Sequence, residues 1–189
     1  MRIAVFCGAS PGVSPFYLEV AEALGRFLAR EGVGVVYGGA SVGLMGAMAN
    51  AALAAGGEVV GVIPRALVDR ELAHPGLSEL RIVDSMHERK ALMAALSDGF
   101  VALPGGTGTL EEIFEVWTWA QLGYHAKPCA LLNAGGFYDH LIRFLDHAVA
   151  EGFTQPRYRD MLVVADSAEA VLAAFRRYEP PPPKWQGRR

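Results

Sequence analysis

Cysteine and lysine are both scarce in this chain, and no apolar run is long enough to span a bilayer. Only two cysteines occur in 189 residues, Cys7 and Cys129. Both sit in apolar runs that read as buried strands, which predicts two buried thiols rather than a disulfide. That expectation fits a reducing cytoplasm. The two cysteines and five histidines, His87 among them, show no spacing typical of a zinc site, so no metal is expected. Only three lysines occur, Lys90, Lys127 and Lys184, against fourteen arginines. That bias suits a GC-rich or thermophilic source and leaves few candidates for Schiff-base chemistry. Without an apolar stretch near the ~20 residues of a membrane span, no membrane partner is expected. The opening MRIAVFCGAS runs into a Gly-Ala-Ser-Pro turn and reads as a first strand, not a signal segment. The net charge is only −3, so neither a nucleic-acid surface nor a charged tail is indicated.

What the chain does have is alternation. Short apolar strands are expected at Arg2–Cys7, Val33–Tyr37, Glu58–Ile63, Glu79–Val83, Gly99–Leu103, Pro128–Leu132 and Met161–Val164. Helices are expected at Pro15–Glu31, Gly43–Ala55, Ser85–Ser97, Thr109–Leu122, Phe137–Glu151 and Ala168–Tyr178, with an irregular connection over Pro64–Ser78. Ser14 followed by Pro15 is a helix start. Continuous apolar strands alternating with helices predict an α/β fold: a Rossmann-like, doubly wound parallel sheet with helices on both faces. Composition shows no break, so one nucleotide-binding domain is expected over 1–178. Four consecutive prolines make Glu179–Arg189 an extended tail.

In such sheets ligands bind beyond the carboxyl ends of the strands. Four glycine-bearing turns are expected there: Cys7–Ser10, Tyr37–Ser41, Gly61–Pro64 and the turn opening at Pro104. The last, within Leu103-Pro-Gly-Gly-Thr-Gly-Thr-Leu-Glu-Glu112, is the most informative. Strand, glycine-rich turn and helix start form a phosphate-binding layout. Two carboxylates, Glu111 and Glu112, in the expected first helical turn add acid/base capacity. A purely local explanation makes Thr109 an N-cap and Glu112 its capping-box partner. It leaves Gly105, Gly106 and Gly108 unexplained. The turn is not a dinucleotide fingerprint, because Glu111 occupies the third glycine position, and the P-loop pattern is absent. A second constellation, Ser85-Met-His-Glu-Arg-Lys90, opens the preceding helix. Arg89 and Lys90 are cations near a helix start, an unfavourable place that a bound phosphate would relieve. Trp117, Thr118 and Trp119 suit core packing or a subunit contact, since neighbouring tryptophans on a helix face different ways.

Together these residues resemble the LOG (LONELY GUY) family, cytokinin riboside 5′-monophosphate phosphoribohydrolases long labelled possible lysine decarboxylases. Pro104 to Glu112 matches the family pattern P-G-G-x-G-T-x-x-E, and Met86 to Lys90 matches M-H-x-R-K. Tyr37 to Gly46 is similar to Y-G-G-G-x-x-G-L-M-G, with Ala40 in place of a glycine. Trp119–Gly123, Lys127-Pro128, Leu131–Asn133 and Phe137-Tyr138 also match, so the likeness runs from about residue 2 to about residue 165. It implies hydrolysis of the N-glycosidic bond of a nucleoside 5′-monophosphate, giving a free base and ribose 5-phosphate, with no cofactor. It implies Arg89 and Glu112 as the catalytic pair. Glu71, Lys90, Gly105, Gly106, Thr107, Gly108, Thr109, Glu111, Thr118, Gly39 and Ser10 are expected at the substrate or phosphate site. It also implies a homodimer or higher homo-oligomer. Two alternatives stand beside it. A Rossmann-type carrier would need the glycine turn but not Glu112. A pyridoxal-phosphate decarboxylase would need a lysine at the site.

Overall fold

In a computed structural model of the chain, the described residues are 1–68, 70 and 72–182. Seven strands, β1 Arg2–Phe6, β2 Gly34–Tyr37, β3 Val59–Pro64, β4 Glu79–Val83, β5 Gly99–Ala102, β6 Cys129–Leu132 and β7 Leu162–Ala165, form one sheet. Their order is β4-β3-β2-β1-β5-β6-β7, and every pairing is parallel. The helices are α1 Pro15–Arg30, α2 Gly43–Ala54, α3 Arg65–Val68, α4 Met86–Leu96, α5 Thr107–Leu122, α6 Asp139–Ala150, α7 Pro156–Arg159 and α8 Ala168–Arg176. This is the doubly wound parallel sheet expected from the alternation of apolar segments.

Side chains alternate along each strand and divide the core in two. Ile3, Val5, Val35 and Val101 pack under α1, α2 and α8 through Leu24, Leu28, Met48 and Leu172. Ala4, Phe6, Val36 and Phe100 pack on the other face against α4, α5 and α6 through Met93, Ile113, Val116 and Tyr138. Both faces being covered, β1, β2, β3, β5 and β6 are apolar throughout or nearly so. Cys7 and Cys129 are buried free thiols on opposite faces.

The chain winds from β1 out to β4 and then returns to place β5 on the other side of β1. The switch point therefore lies between the carboxyl ends of β1 and β5, where such sheets hold ligands. The turns leaving these strands are joined: the Gly8 N–H donates to the Pro104 carbonyl at 3.1 Å. The start of α2 is drawn to the same place, the Leu44 N–H donating to the Gly8 carbonyl at 3.0 Å.

Several boundaries differ from expectation, with local causes. The turn expected at Gly61–Pro64 is instead the end of β3, paired residue by residue with β4 through Pro64–Val83. The irregular connection after it contains α3 and an antiparallel bridge, Ala40 with Ala73. α6 begins at Asp139, because a 3-10 turn over Ala134–Gly136 takes up the preceding residues, with Gly135 and Gly136 at positive φ. α5 begins at Thr107 with Gly106 as N-cap, so the capping box from Thr109 to Glu112 does not form. Glu111 and Glu112 accordingly stand in the second turn of α5. Most of the tail expected over Glu179–Arg189, from 183 onward, lies outside the described residues.

Candidate active site

A cavity of about 680 Å³ opens at the switch point, within the usual range for small-molecule sites. Its floor is the glycine turn, Gly105–Thr109, with Gly8, Ala9 and Ser10 beside it. Arg89, Glu111 and Glu112 form a charged wall. Leu67, Leu72, Met45 and Met86 form an apolar wall, and Tyr17 and Phe137 line another part of the rim.

The floor is suited to an anion. Gly106 caps α5 without any side-chain hydrogen bond, so no side chain occupies the first N–H groups. Gly105 is required by the fold, because a β-carbon there would lie 2.1 Å from Thr109 Oγ1 and 3.0 Å from the Gly8 nitrogen. Gly106 and Gly108 are different. A β-carbon at either meets nothing within 4 Å, and neither has a positive φ. Their missing side chains leave open space above the helix start.

The charged wall is built by consecutive residues of two helices. α4 starts from Ser85, whose hydroxyl accepts from the Glu88 N–H at 3.1 Å, and it carries Arg89 and Lys90 inward. Arg89 Nη2 donates to Glu112 Oε1 at 2.6 Å, with the two side chains only 10% and 9% exposed. Gly38, at the end of β2, makes room for this pair, since a β-carbon there would come 2.6 Å from Arg89 Nη2. Arg89 Nε is buried without a hydrogen-bond partner among the described residues, an unused donor at the cavity wall. Burial pushes the Glu112 carboxyl above its ordinary range; Arg89 opposes this shift and the neighbouring Glu111 charge adds to it. Cys7 also borders the cavity, but burial and the Glu112 charge raise its thiol far above the thiolate range.

The expected site residues divide by position. Ser10, Arg89, Gly105, Gly106, Thr107, Gly108, Thr109, Glu111 and Glu112 all line the cavity. Lys90 does not; it pairs with Glu111 and, at 3.0 Å, with Glu115. Thr118 is exposed on α5 and also off the cavity, six residues beyond Glu112 and about 120° round the helix. Gly39 is buried beside the cavity with φ at 76°, where a side chain would press on Ile63. Glu71 lies outside the described residues. Trp117 is core, its Nε1 donating to the Tyr158 carbonyl at 3.0 Å. Sequence reasoning placed Gly38 in a ligand-edge turn but missed the room it makes for Arg89, and it missed Glu115. The visible signal for Glu115 was its spacing of four from Glu111, a like-charged pair on one helix face.

Among the described residues no group of three or more histidine, cysteine, aspartate or glutamate side chains is arranged to hold a metal ion. Nor is any helix of the described residues long and apolar enough to cross a membrane.

Sheet order, with a cavity at the switch point, defines a Rossmann-like α/β protein. Solved structures agree on that fold. A molybdenum cofactor binding protein from Rippkaea orientalis superposes with a TM-score of 0.71 at 22% identity, over 93% of this chain and 95% of that one. The molybdenum cofactor carrier protein of Chlamydomonas reinhardtii gives 0.69 at 22% identity, over 93% and 96%. Sequence relatives are far nearer. The chain is 53% identical over 175 residues to the cytokinin riboside 5′-monophosphate phosphoribohydrolase of Rhodococcoides fascians, covering 92% of this chain and 88% of the relative. It is 47% identical over 179 residues to the phosphoribohydrolase LOG of Oryza sativa subsp. japonica, covering 95% and 74%. Residues 45–175 match the family described as possible lysine decarboxylase. The chain belongs to that family, within its LOG group.

Proposed function

We propose that this protein hydrolyses the N-glycosidic bond of a nucleoside 5′-monophosphate carrying adenine or an N6-modified, cytokinin-type adenine. The products are the free base and ribose 5-phosphate. The observation that carries the reading is the buried Arg89–Glu112 pair, set into the wall of a cavity whose floor is an uncapped helix start. About half of the sequence is shared with relatives named for this reaction.

The 5′-phosphate sits on the N–H groups and hydroxyls of the turn from Gly105 to Thr109, with Ser10 beside it. This remote binding energy places the ribose against the charged wall. Breaking the C1′–N bond sends its electron pair to the base and leaves oxocarbenium character on the sugar. Glu112, fixed through Oε1 by Arg89, presents its other oxygen to stabilise that charge and to take a proton from the attacking water. The water oxygen bonds to C1′, and the proton that Glu112 took from the water passes on to the departing base, which restores the carboxylate. Glu111 accepts hydrogen bonds from the ribose hydroxyls. Lys90 and Thr118 are left out of the contact set because they lie off the cavity. Glu71, outside the described residues, stays a candidate contact through the family resemblance alone. The base lies toward Leu67, Leu72, Met45 and Met86, a wall apolar enough for an N6 substituent. No cofactor takes part. The working unit is a cytoplasmic homodimer or higher homo-oligomer of the single domain over 1–178.

The decarboxylase label fits these residues poorly. Lys127 is spent on the Ala94 carbonyl at 2.7 Å, Lys90 is ion-paired, and neither lines the cavity. Lys184 lies outside the described residues. The carrier alternative rests on neighbours that share the fold at 22% identity, and a carrier has no use for a buried glutamate–arginine pair. The test is chromatographic detection of base released from AMP, isopentenyladenosine monophosphate, GMP and CMP, with adenosine as control. Release from an adenine monophosphate and not from adenosine is the expected result. Binding without release from any of them returns the reading to a carrier.

A further inference from the structure

The ion cluster behind the charged wall contains a residue that no catalytic role accounts for. Glu111 and Glu115 stand one turn apart on α5, a like-charged spacing that works against a helix. Lys90, from α4, lies between them: Nζ bonds to Glu111 Oε1 and lies 3.0 Å from Glu115 Oε2. Exposure is graded along the cluster. Side-chain exposure is 9% for Lys90, 25% for Glu115 and 54% for Glu111. Of the three, only Glu111 lines the cavity. Lys90 and Glu115 stand behind it, although Lys90 follows Arg89 in sequence.

A half-exposed glutamate held by one flexible lysine keeps most of its rotamer freedom, and such pairs contribute little. A second, less exposed carboxylate on the same ammonium changes this. Glu115 fixes the end of Lys90, and Lys90 then offers Glu111 a stationary partner. Burial works to lower the affinity of the Lys90 amine for its proton, but the bond to Glu111 and the Glu115 charge outweigh it and keep the ammonium charged. With Oε1 of Glu111 bound to Lys90, Oε2 remains to accept from a ligand. We propose that Glu115 is a positioning residue, acting through Lys90 to hold the Glu111 carboxylate at the cavity wall for the ribose hydroxyls of the nucleotide. The proposal rests on the phosphoribohydrolase reading and adds to it a role for Glu115 and a non-phosphate role for Lys90.

The test is a double-mutant cycle on AMP hydrolysis, with Glu115→Ala, Glu111→Ala and the pair, each checked for its unfolding midpoint. Glu115→Ala should raise KM about tenfold, with kcat changed less than about twofold, as expected for lost ground-state positioning. In the Glu111→Ala background the same change should move KM by less than about twofold, because its only route of action is gone. Should Glu115→Ala fold poorly, Glu115→Gln keeps the shape and removes the charge, and it should show the same dependence on Glu111 with a smaller rise. Equal KM factors in both backgrounds, or an unchanged KM in Glu115→Ala, overturn the positioning role while leaving the enzyme reading intact. A wild-type protein that releases no base from any monophosphate overturns the enzyme reading, and this inference with it.

Discussion

Replacing Gly108 by alanine should make the protein more stable and worse at holding its nucleotide. Gly108 is in the first turn of α5, exposed, and without the positive φ that would exclude a side chain. A β-carbon there meets nothing within 4 Å. Glycine in a helix costs ~0.5–1 kcal/mol against alanine, through backbone entropy in the unfolded chain. For a domain of this size that corresponds to a rise of ~1–4 °C in Tm. The same β-carbon projects into the space above the helix start, where the phosphate must come within hydrogen-bond distance of backbone N–H groups. Each charge-assisted bond lost or stretched there is worth ~1.5–3 kcal/mol, so AMP affinity should fall by about 10- to 100-fold. Thermal unfolding followed by circular dichroism gives the first quantity and titration calorimetry with AMP the second. Unchanged AMP affinity would refute the placement of the phosphate on this turn. A lowered Tm would show instead that Gly108 serves the fold.

Four further outcomes are expected. Glu112→Gln should abolish base release while AMP still binds within a few-fold, measured by chromatography and calorimetry; full activity would remove Glu112 from the reaction. Burial raises the Glu112 carboxyl, so the working carboxylate is present above that raised value and lost as pH falls through it. The acid limb of kcat/KM should then sit above the ordinary 4.5, and a limb at or below it would contradict this. His74 and His125 are both held below the ordinary histidine value of 6.5, by burial first. Their Nδ1 atoms accept from the Gly76 and Lys127 N–H groups, each at 3.1 Å, which favours the neutral ring. A lowered folded value means stability is full above 6.5 and declines as pH falls through the folded values. Tm should therefore drop from pH 7 to pH 5, less steeply in His74→Gln. Finally, Cys7 and Cys129 should resist a thiol reagent in the folded protein and react fully in denaturant, read by absorbance; fast reaction of Cys7 would mean that its strand end opens.

The sheet was legible because parallel strands buried on both faces write themselves as continuous apolar runs, such as Val33–Tyr37 and Pro128–Leu132. Two helices were not. α3 and α7 are four residues each, too short for a 3.6-residue period to register. The start of α5 was misjudged for a chemical reason. Thr109 with Glu112 has capping-box spacing, but glycine also tolerates the N-cap position, and Gly106 takes it. At the cavity, the glycine turn could be anticipated from residue type and strand ends, and the Arg89–Glu112 pair only from the family resemblance. The direction of Lys90 could not. Whether it reaches toward a ligand or toward Glu111 and Glu115 depends on how α4 and α5 cross, and no sequence spacing within one helix encodes that.

The bond from Gly8 to the Pro104 carbonyl has a consequence for the order in which the molecule is made. β1 is the central strand, yet its partner β5 begins only at Gly99. During synthesis from the amino end, the first four strands can pair while the side of β1 that will carry the cavity is still bare. The anion floor and Arg89's counter-ion come into being together, when β5 and α5 emerge and dock. A chain stalled before residue 99 would hold the four strands β1 to β4 and none of the Gly105–Thr109 turn that a phosphate needs. Ligand can therefore stabilise only the product of that late docking, and should slow its undoing.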